Sequence, residues 1–221
     1  MSTPATRKQK IGLGLLLLAL LGSGVLSLLH GGAAAWVTAQ TLQARWTVAE
    51  WRDERGPVPT PEKWKEVRDD LWLGAHALPS FAALHEDLGY LHAMQALTVR
   101  TLQPGTQEFA YRQSLLAEAA NNYRQATQDR PTFPYAWAYL AFAKHLRGDV
   151  DDEMFAAMDK ALRYGKNEGG VQQTLAEVAF GNWDQLGKER QAAVKDMVAV
   201  SHSRVRSILL EIAQGNGVNL N

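Results

Sequence analysis

An uncharged apolar stretch near the N-terminus constrains this chain more than any other feature. Residues 11–29 read IGLGLLLLALLGSGVLSLL, and as a helix they would rise about 28 Å, close to the thickness of a bilayer's hydrocarbon core. Arg7, Lys8 and Lys10 precede this run, and no further Lys or Arg occurs before Arg45. Because basic residues stay on the cytoplasmic side, the pattern predicts a cytoplasmic N-terminus and an exported remainder.

The same run has a second interpretation, as a signal peptide cleaved after the A-x-A sequence at residues 33–35. The run is longer than the apolar core of a typical signal peptide, and helix-forming residues continue through AAAWVTAQTLQARWTVAEWRDE. We therefore expect an uncleaved anchor: a cytoplasmic tail over 1–10 and a transmembrane segment over 11–32. The expected location is a bacterial inner membrane, crossed once through residues 11–29, with the rest of the chain in the periplasm.

Charge and cysteine content narrow the function of the exported part. The chain has 23 basic and 23 acidic residues, and three of the basic ones precede the apolar run, so the remainder is slightly acidic. A nucleic-acid partner would call for a concentrated positive charge, so the composition argues against one. The chain has no cysteine, which excludes disulfides and thiol-based metal or redox chemistry in an exported protein.

Helical periodicity recurs after the apolar run, and no alternation typical of strands is present, so the predicted fold is all-α. We expect a post-membrane helix and linker over 33–59, a helical domain over 60–213 and a flexible tail over 214–221. Thr60 and Thr106 are expected to cap helices, as is Ser80. A single long helix is predicted over residues 188–213.

A spacing typical of tetratricopeptide repeats occurs within this domain. Ala119, Tyr123, Ala126 and Pro131 fit A-x3-[FY]-x2-A-x4-P, the pattern of the second helix of such a repeat. In this pattern the small residues allow close helix approach, the aromatic ring fills the gap between helices, and proline ends the unit.

The next repeat begins at Trp137, which starts a W-x2-L-A match, and Gly148 is expected to form the turn between its two helices. The sequence therefore predicts a TPR-like antiparallel helical-hairpin solenoid with units at about 81–131 and 134–166. Trp137, Leu140 and Ala161 are expected to be largely buried, together with Tyr123 and Ala126. Trp64, Trp72 and Trp183 also fall at helix-packing positions.

The run NNYRQATQDRPTFPYAWAYLAFAKHLRGDVDDEMFAAMDKAL, followed by VQQTLAEVAFGNWDQLGKERQ, resembles the VpsP-type polysaccharide biosynthesis proteins. That resemblance covers most of residues 60–195, and it departs at residues 165–170, where a tryptophan-containing turn is expected. It implies an anchored protein that acts in bacterial exopolysaccharide production. The matching residues are Tyr123, Arg130, Pro131, Phe133, Pro134, Tyr135, Trp137, Lys144, Gly148, Gly181, Trp183, Leu186 and Arg190.

Motifs for catalysis or cofactor binding are not found in the sequence. His85 and His92 share a helix face, but the i, i+4 histidine pair of zinc helices is missing. The acidic segment GDVDDE has Met154 and Lys160 where a calcium loop needs glycine and glutamate. We therefore expect no catalytic residue, no metal and no cofactor, and a protein that is not an enzyme.

Candidate binding residues come from the first helix of each repeat, because those helices line the concave face of such a solenoid. Aromatic side chains with a histidine and an acid would suit an extended peptide or a partner helix. Lys144 stands where the repeat usually packs a tyrosine, so its ammonium should be partly exposed and paired with a nearby acid. The predicted groove consists of Glu86, Tyr90, Tyr135, Phe142, Lys144 and His145.

The function expected from these features is that of a scaffold: a membrane-anchored helical protein that binds protein partners of an exopolysaccharide synthesis and export complex. The first alternative is a periplasmic chaperone-like repeat protein attached to the translocon. The second is a polysaccharide-binding module, since the seven tryptophans offer flat faces for sugars.

Overall fold

The computed structural model describes residues 7–100 and 103–220, and within these ranges every regular element is helical. The all-α prediction is thus confirmed for the described part of the chain. A 3₁₀ turn at Trp183–Gln185 connects two of the helices. The α-helices are α1 (Arg7–Arg52), α2 (Pro61–Ala77), α3 (Ala82–Thr98), α4 (Gln107–Asp129), α5 (Pro134–Arg147), α6 (Asp152–Gly165), α7 (Gly169–Gly181), α8 (Gly187–Val200) and α9 (Ser203–Gly215).

Side-chain caps fix the start of three helices. The hydroxyls of Thr60 and Thr106 accept hydrogen bonds from the backbone N–H groups three residues later, which begins α2 and α4 where the sequence predicts. The Asp151 carboxylate does the same for α6. At the other end, Gly148 adopts φ 87°, a left-handed conformation that suits glycine and ends α5 at the predicted turn.

Two predicted helix boundaries are wrong. Ser80 does not cap α3; the N-cap is Phe81, which makes no side-chain capping bond. The long helix expected over 188–213 is divided at Ser201, where α8 ends. The Arg206 guanidinium donates to the carbonyls of Val198 and Ser201, so it satisfies groups that a continuous helix would have paired with later backbone N–H groups.

Each helix packs against the next along the chain, and α1 also contacts α3, α5 contacts α7, α6 contacts α8, and α7 contacts α9. Two apolar clusters fill the interior. The first lies among α1 to α4 and includes Leu71 and Leu84, and the second extends from α4 to α9 and includes Met158 and Leu175. Helix α4 contributes to both clusters, so it joins the two halves of the core. Beyond α9, Val218 and Leu220 are half-buried against the second cluster.

Small residues let the helices approach closely. A Cβ at Gly89 would lie 2.7 Å from the buried ring of Tyr123, so this position of α3 can hold only glycine without a shift. Tyr123, Ala126, Leu140 and Ala161 are buried, as predicted. Trp137 is the exception: it is only half-buried, because its Nε1–H points to the Pro131 carbonyl (2.8 Å) at the edge of the core.

Helix α1 is long and apolar enough to cross a membrane, with a mean hydropathy of 1.5 in its most apolar window. It continues without interruption through the predicted end of the anchor, and from Val37 onward one of its faces packs on α2 and α3. Trp36 and Trp46 lie outside that contact and are exposed. Trp72 on α2 is also half exposed, so its predicted role in helix packing is wrong.

Candidate partner-binding surface

The predicted groove residue Glu86 lies on α3 and faces the connection between α4 and α5. Its carboxylate accepts a hydrogen bond from Arg130 (2.9 Å), and the Arg130 guanidinium lies 3.7 Å from the centre of the Phe133 ring. Burial raises the pKa of Glu86, although the positive charge of Arg130 opposes that rise. The acid is therefore held in place by a cation that also covers an aromatic ring.

Aromatic rings continue this surface along α5. The Tyr135 ring lies 5.6 Å from Phe133 and 6.2 Å from Tyr139, and the Tyr139 ring lies 5.4 Å from buried Tyr123. These separations are in the range of favourable ring packing, so each ring restricts the next. Burial raises the pKa of Tyr139, which keeps its hydroxyl a neutral donor.

The other side of the surface comes from the end of α1. The Arg52 guanidinium lies 4.8 Å above the ring of Tyr90 on α3, a cation–π contact. It also donates a hydrogen bond to Asp87 (3.0 Å), which fixes its direction. Burial raises the pKa of Tyr90, so this phenol also remains neutral.

These contacts form one continuous set, which we call the aromatic–arginine surface. Half-buried rings of α3, α5 and the α4–α5 connection lie beside two arginines, one at the end of α1 and one at the end of α4, and one acid is paired with an arginine at the edge of the set. The groups are preorganised and only partly covered, a composition typical of the contact regions of protein–protein interfaces. Its members are Arg52, Glu86, Tyr90, Arg130, Phe133, Tyr135 and Tyr139.

Phe142 and His145 lie further along α5, toward α7. The His145 ring stacks on Phe142 with centroids 6.3 Å apart, and its Nδ1 accepts a hydrogen bond from the Asn182 amide (2.8 Å). Burial lowers the pKa of His145, so the ring is neutral. The imidazole also packs on Gly181, where a Cβ would lie 2.7 Å from the ring. His145 therefore joins α5 to α7 and offers little of its polar edge to a ligand.

Lys144 takes no part in the aromatic–arginine surface. Only 5% of the residue is exposed, and its ammonium donates to Asp151 (2.8 Å) and Glu153 (2.7 Å). Burial disfavours the charged amine, but these two bonds outweigh it and the pKa of Lys144 is raised. The predicted pairing with an acid is confirmed, whereas the expected partial exposure is wrong. An ammonium held by two carboxylates is not available to a groove ligand.

The two histidines of α3 are engaged with protein groups. His85 lies within hydrogen-bond distance of the Pro79 carbonyl (2.9 Å) and the Asn122 side chain (3.3 Å), and His92 donates to the Leu88 carbonyl (2.8 Å). Among the residues that the structure describes, no group of three or more His, Asp or Glu side chains is placed to hold a metal ion.

Four members of the aromatic–arginine surface were missed from the sequence: Arg52, Arg130, Phe133 and Tyr139. The sequence pattern indicates Tyr139, because it follows Tyr135 by four residues and precedes Phe142 by three on the same helix face. No sequence pattern indicates Arg52, since its position depends on how α1 packs against α3. Comparisons of the chain with protein-family models and with curated proteins find no match.

Proposed function

We propose that this protein is a membrane-anchored, TPR-like scaffold of bacterial exopolysaccharide synthesis and export, and that it holds a protein partner on the aromatic–arginine surface. The pathway rests on the resemblance to VpsP-type proteins described above. The scaffold role rests on the helical architecture and on the chemistry of the surface.

The TPR-like part of the proposal is supported by the order of helix contacts. Sequential packing, with contacts between every second helix in parts of the chain, is what a solenoid of helical hairpins requires. The close approach of α3 to α4 at Gly89 and Tyr123 has the small-residue and aromatic-ring pairing expected of such repeats.

The anchor is supported by α1, whose described apolar side chains between Leu16 and Leu29 are exposed. Its first turn carries Arg7, Lys8 and Lys10, which precede the apolar run. In our proposal it crosses the inner membrane once, with the N-terminus in the cytoplasm and the helical domain in the periplasm. Trp36 would then lie near the periplasmic interface, where indole rings are favoured.

One observation carries the scaffold role. Both oxygens of the Asp87 carboxylate on α3 are bound by arginines of α1, Arg45 at 3.0 Å and Arg52 at 3.0 Å. Because Asp87 is adjacent to Glu86 and three residues before Tyr90, this connection fixes these two surface residues relative to the C-terminal part of α1, the helix that in our proposal crosses the membrane. A partner bound there would be held at a defined distance from the membrane.

The chemistry of the surface favours binding over reaction. Tyrosine and arginine give large contact areas with directional hydrogen bonds, and they dominate the binding energy of many protein interfaces. The half-buried rings of Tyr90 and Tyr135 would supply apolar contact to an extended segment or a helix of the partner, while Arg130 and Glu86 would set its direction.

The experiment replaces two rings of the surface in the full-length protein, Tyr90→Ala with Tyr135→Ala, and follows polymer production and co-purification of the synthesis and export proteins. We expect both to be lost while the thermal unfolding transition shifts only slightly. The matched control is Tyr111→Ala, which removes a tyrosine that is 48% exposed on α4 outside this surface. Full activity of the double variant would contradict the proposal.

A further inference from the structure

A second concave region is formed by side chains outside the aromatic–arginine surface. It is a cleft of about 820 Å³ between α2, α3 and α4. This volume is in the range of small-molecule sites and would accommodate about two or three sugar rings. Its walls combine one large aromatic face with several planar polar side chains.

The aromatic face of the cleft is the indole of Trp72, which is 50% exposed. The His76 ring lies against it, with centroids 3.6 Å apart and ring planes inclined by 35°, and His76 Nδ1 donates to the Trp72 carbonyl (2.9 Å). This hydrogen bond holds the imidazole against the indole. The indole is therefore supported before any ligand arrives, which reduces the entropy cost of binding to it.

The polar wall opposite comes from α4 and α3. Within the described residues, the Glu118 carboxylate makes no hydrogen bond. The side-chain oxygen of Asn121 accepts a hydrogen bond from Arg124, but the N–H groups of the same amide donate to no described residue. His92 donates from Nδ1 to the Leu88 carbonyl, and burial lowers the pKa of its ring, so Nε2 is an unprotonated acceptor. The cleft thus presents an acceptor, a donor and a carboxylate without partners in the described structure.

The charge of the cleft restricts the ligand class. Arg68 forms an ion pair with Asp69. Glu118 is also a charged side chain of the cleft lining, and it forms no ion pair with any described residue. An anion such as a phosphate or a uronate would be repelled by Glu118, and a purely apolar ligand would leave these polar groups without partners. A neutral polyhydroxylated ring satisfies both conditions, since its C–H face can cover an aromatic ring while its hydroxyls donate and accept at the edges.

We propose that this cleft binds a short oligosaccharide of neutral pyranose units, stacked on Trp72 and hydrogen-bonded by Asn121 and Glu118. This inference extends the proposed function and rests on it, because an exopolysaccharide assembly handles a growing sugar polymer. The site lies on a different surface, so its failure and the failure of the partner-binding proposal can be told apart.

The test measures binding of trisaccharides of glucose, galactose, mannose and N-acetylglucosamine to the full-length protein by calorimetry, in a detergent without a sugar head group. Trigalacturonate and choline are included as an anionic and a cationic probe. We expect at least one neutral trisaccharide to bind, and Trp72→Ala to weaken that binding about tenfold or more. Glu118→Gln and Asn121→Ala should each weaken it as well.

The matched control is Trp46→Ala, which removes an indole that is 67% exposed on α1 and should leave sugar binding unchanged. Because Trp72 is half exposed, its variant is expected to keep the helical circular-dichroism spectrum of the parent. The proposal is overturned if no neutral trisaccharide binds, if only choline or trigalacturonate binds, or if Trp72→Ala binds as well as Trp46→Ala does.

Discussion

The carboxylate of Asp87 on α3 accepts a hydrogen bond from the guanidinium of Arg52 on α1, with 3.0 Å between Oδ1 and Nη2. The second oxygen accepts from Arg45, also at 3.0 Å. Arg52 then extends over the ring of Tyr90. One buried carboxylate therefore joins the long N-terminal helix α1 to α3, which contributes Glu86 and Tyr90 to the candidate binding surface.

Removal of this carboxylate should separate α1 from α3. Asp87→Ala is expected to lower the free energy of unfolding by about 2–3 kcal/mol, because it removes two charge-assisted hydrogen bonds from a buried group. The arginines are partly exposed and can regain water, which limits the loss. Chemical unfolding of the full-length protein measures the change, and exposed Asp70→Ala on α2 is the control, expected within about 0.5 kcal/mol of the parent.

The contact between Gly89 and Tyr123 gives a test of helix packing. Gly89→Ala places a methyl group 2.7 Å from the buried ring, and the overpacking of about 1–3 kcal/mol should exceed the helix-propensity gain of about 1 kcal/mol. The melting temperature should fall. Gly215→Ala, at the end of α9 where the new methyl would contact nothing beyond its own helix backbone, should leave it unchanged or raise it. Equal behaviour of the two variants would mean that α3 and α4 do not pack as described.

Acid should weaken the ionic cluster around Lys144. Hydrogen bonds from Arg124 lower the pKa of Glu153 from 4.5 to about 2, and Lys144 adds to this. Because the folded-state pKa is below that of the unfolded chain, Glu153 contributes stability above about pH 4.5 and loses it as the pH falls toward 2. Glu153→Gln should therefore be less stable than the parent at neutral pH, and the difference should shrink between about pH 4.5 and 2. The exposed Glu177→Gln is expected to follow the parent across that range.

The topology of the anchor can be tested with a fusion protein. Alkaline phosphatase joined after Asn221 should be active in a bacterium, since this enzyme requires export to the periplasm. The mature protein should keep its original N-terminus and remain in the membrane fraction. Recovery of a soluble form that begins near Trp36 would favour the cleaved signal peptide instead.

Local sequence signals were sufficient for most helix boundaries. Thr60, Thr106, Asp151 and Gly148 act through bonds or backbone angles within a few residues of themselves, so their effects can be predicted without tertiary structure. The division between α8 and α9 is different. It lacks a proline or glycine and depends in part on Arg206, whose side chain returns to the carbonyls of the preceding helix.

The candidate site could be predicted only in part, for a related reason. Helical spacing identifies Tyr135 and Phe142, and it also contains the signal for Tyr139. The contribution of Arg52 comes from a residue 35 positions before Asp87, and it follows from the packing of α1 on α3. The repeat pattern marks Lys144 as unusual, but it does not show whether the ammonium points into a groove. The turn between α5 and α6 decides this, because it brings Asp151 and Glu153 to the ammonium.

Photo-crosslinking in living cells tests whether the aromatic–arginine surface holds a protein partner. A crosslinking amino acid such as benzoylphenylalanine is placed at position 90 on the aromatic–arginine surface, and at position 111 as the exposed control. We expect a cross-link from position 90 to a protein of exopolysaccharide synthesis or export, and none to that protein from position 111. The absence of a cross-link from position 90, or cross-links from it only to the protein-translocation machinery, would show that this surface does not bind the exopolysaccharide proteins.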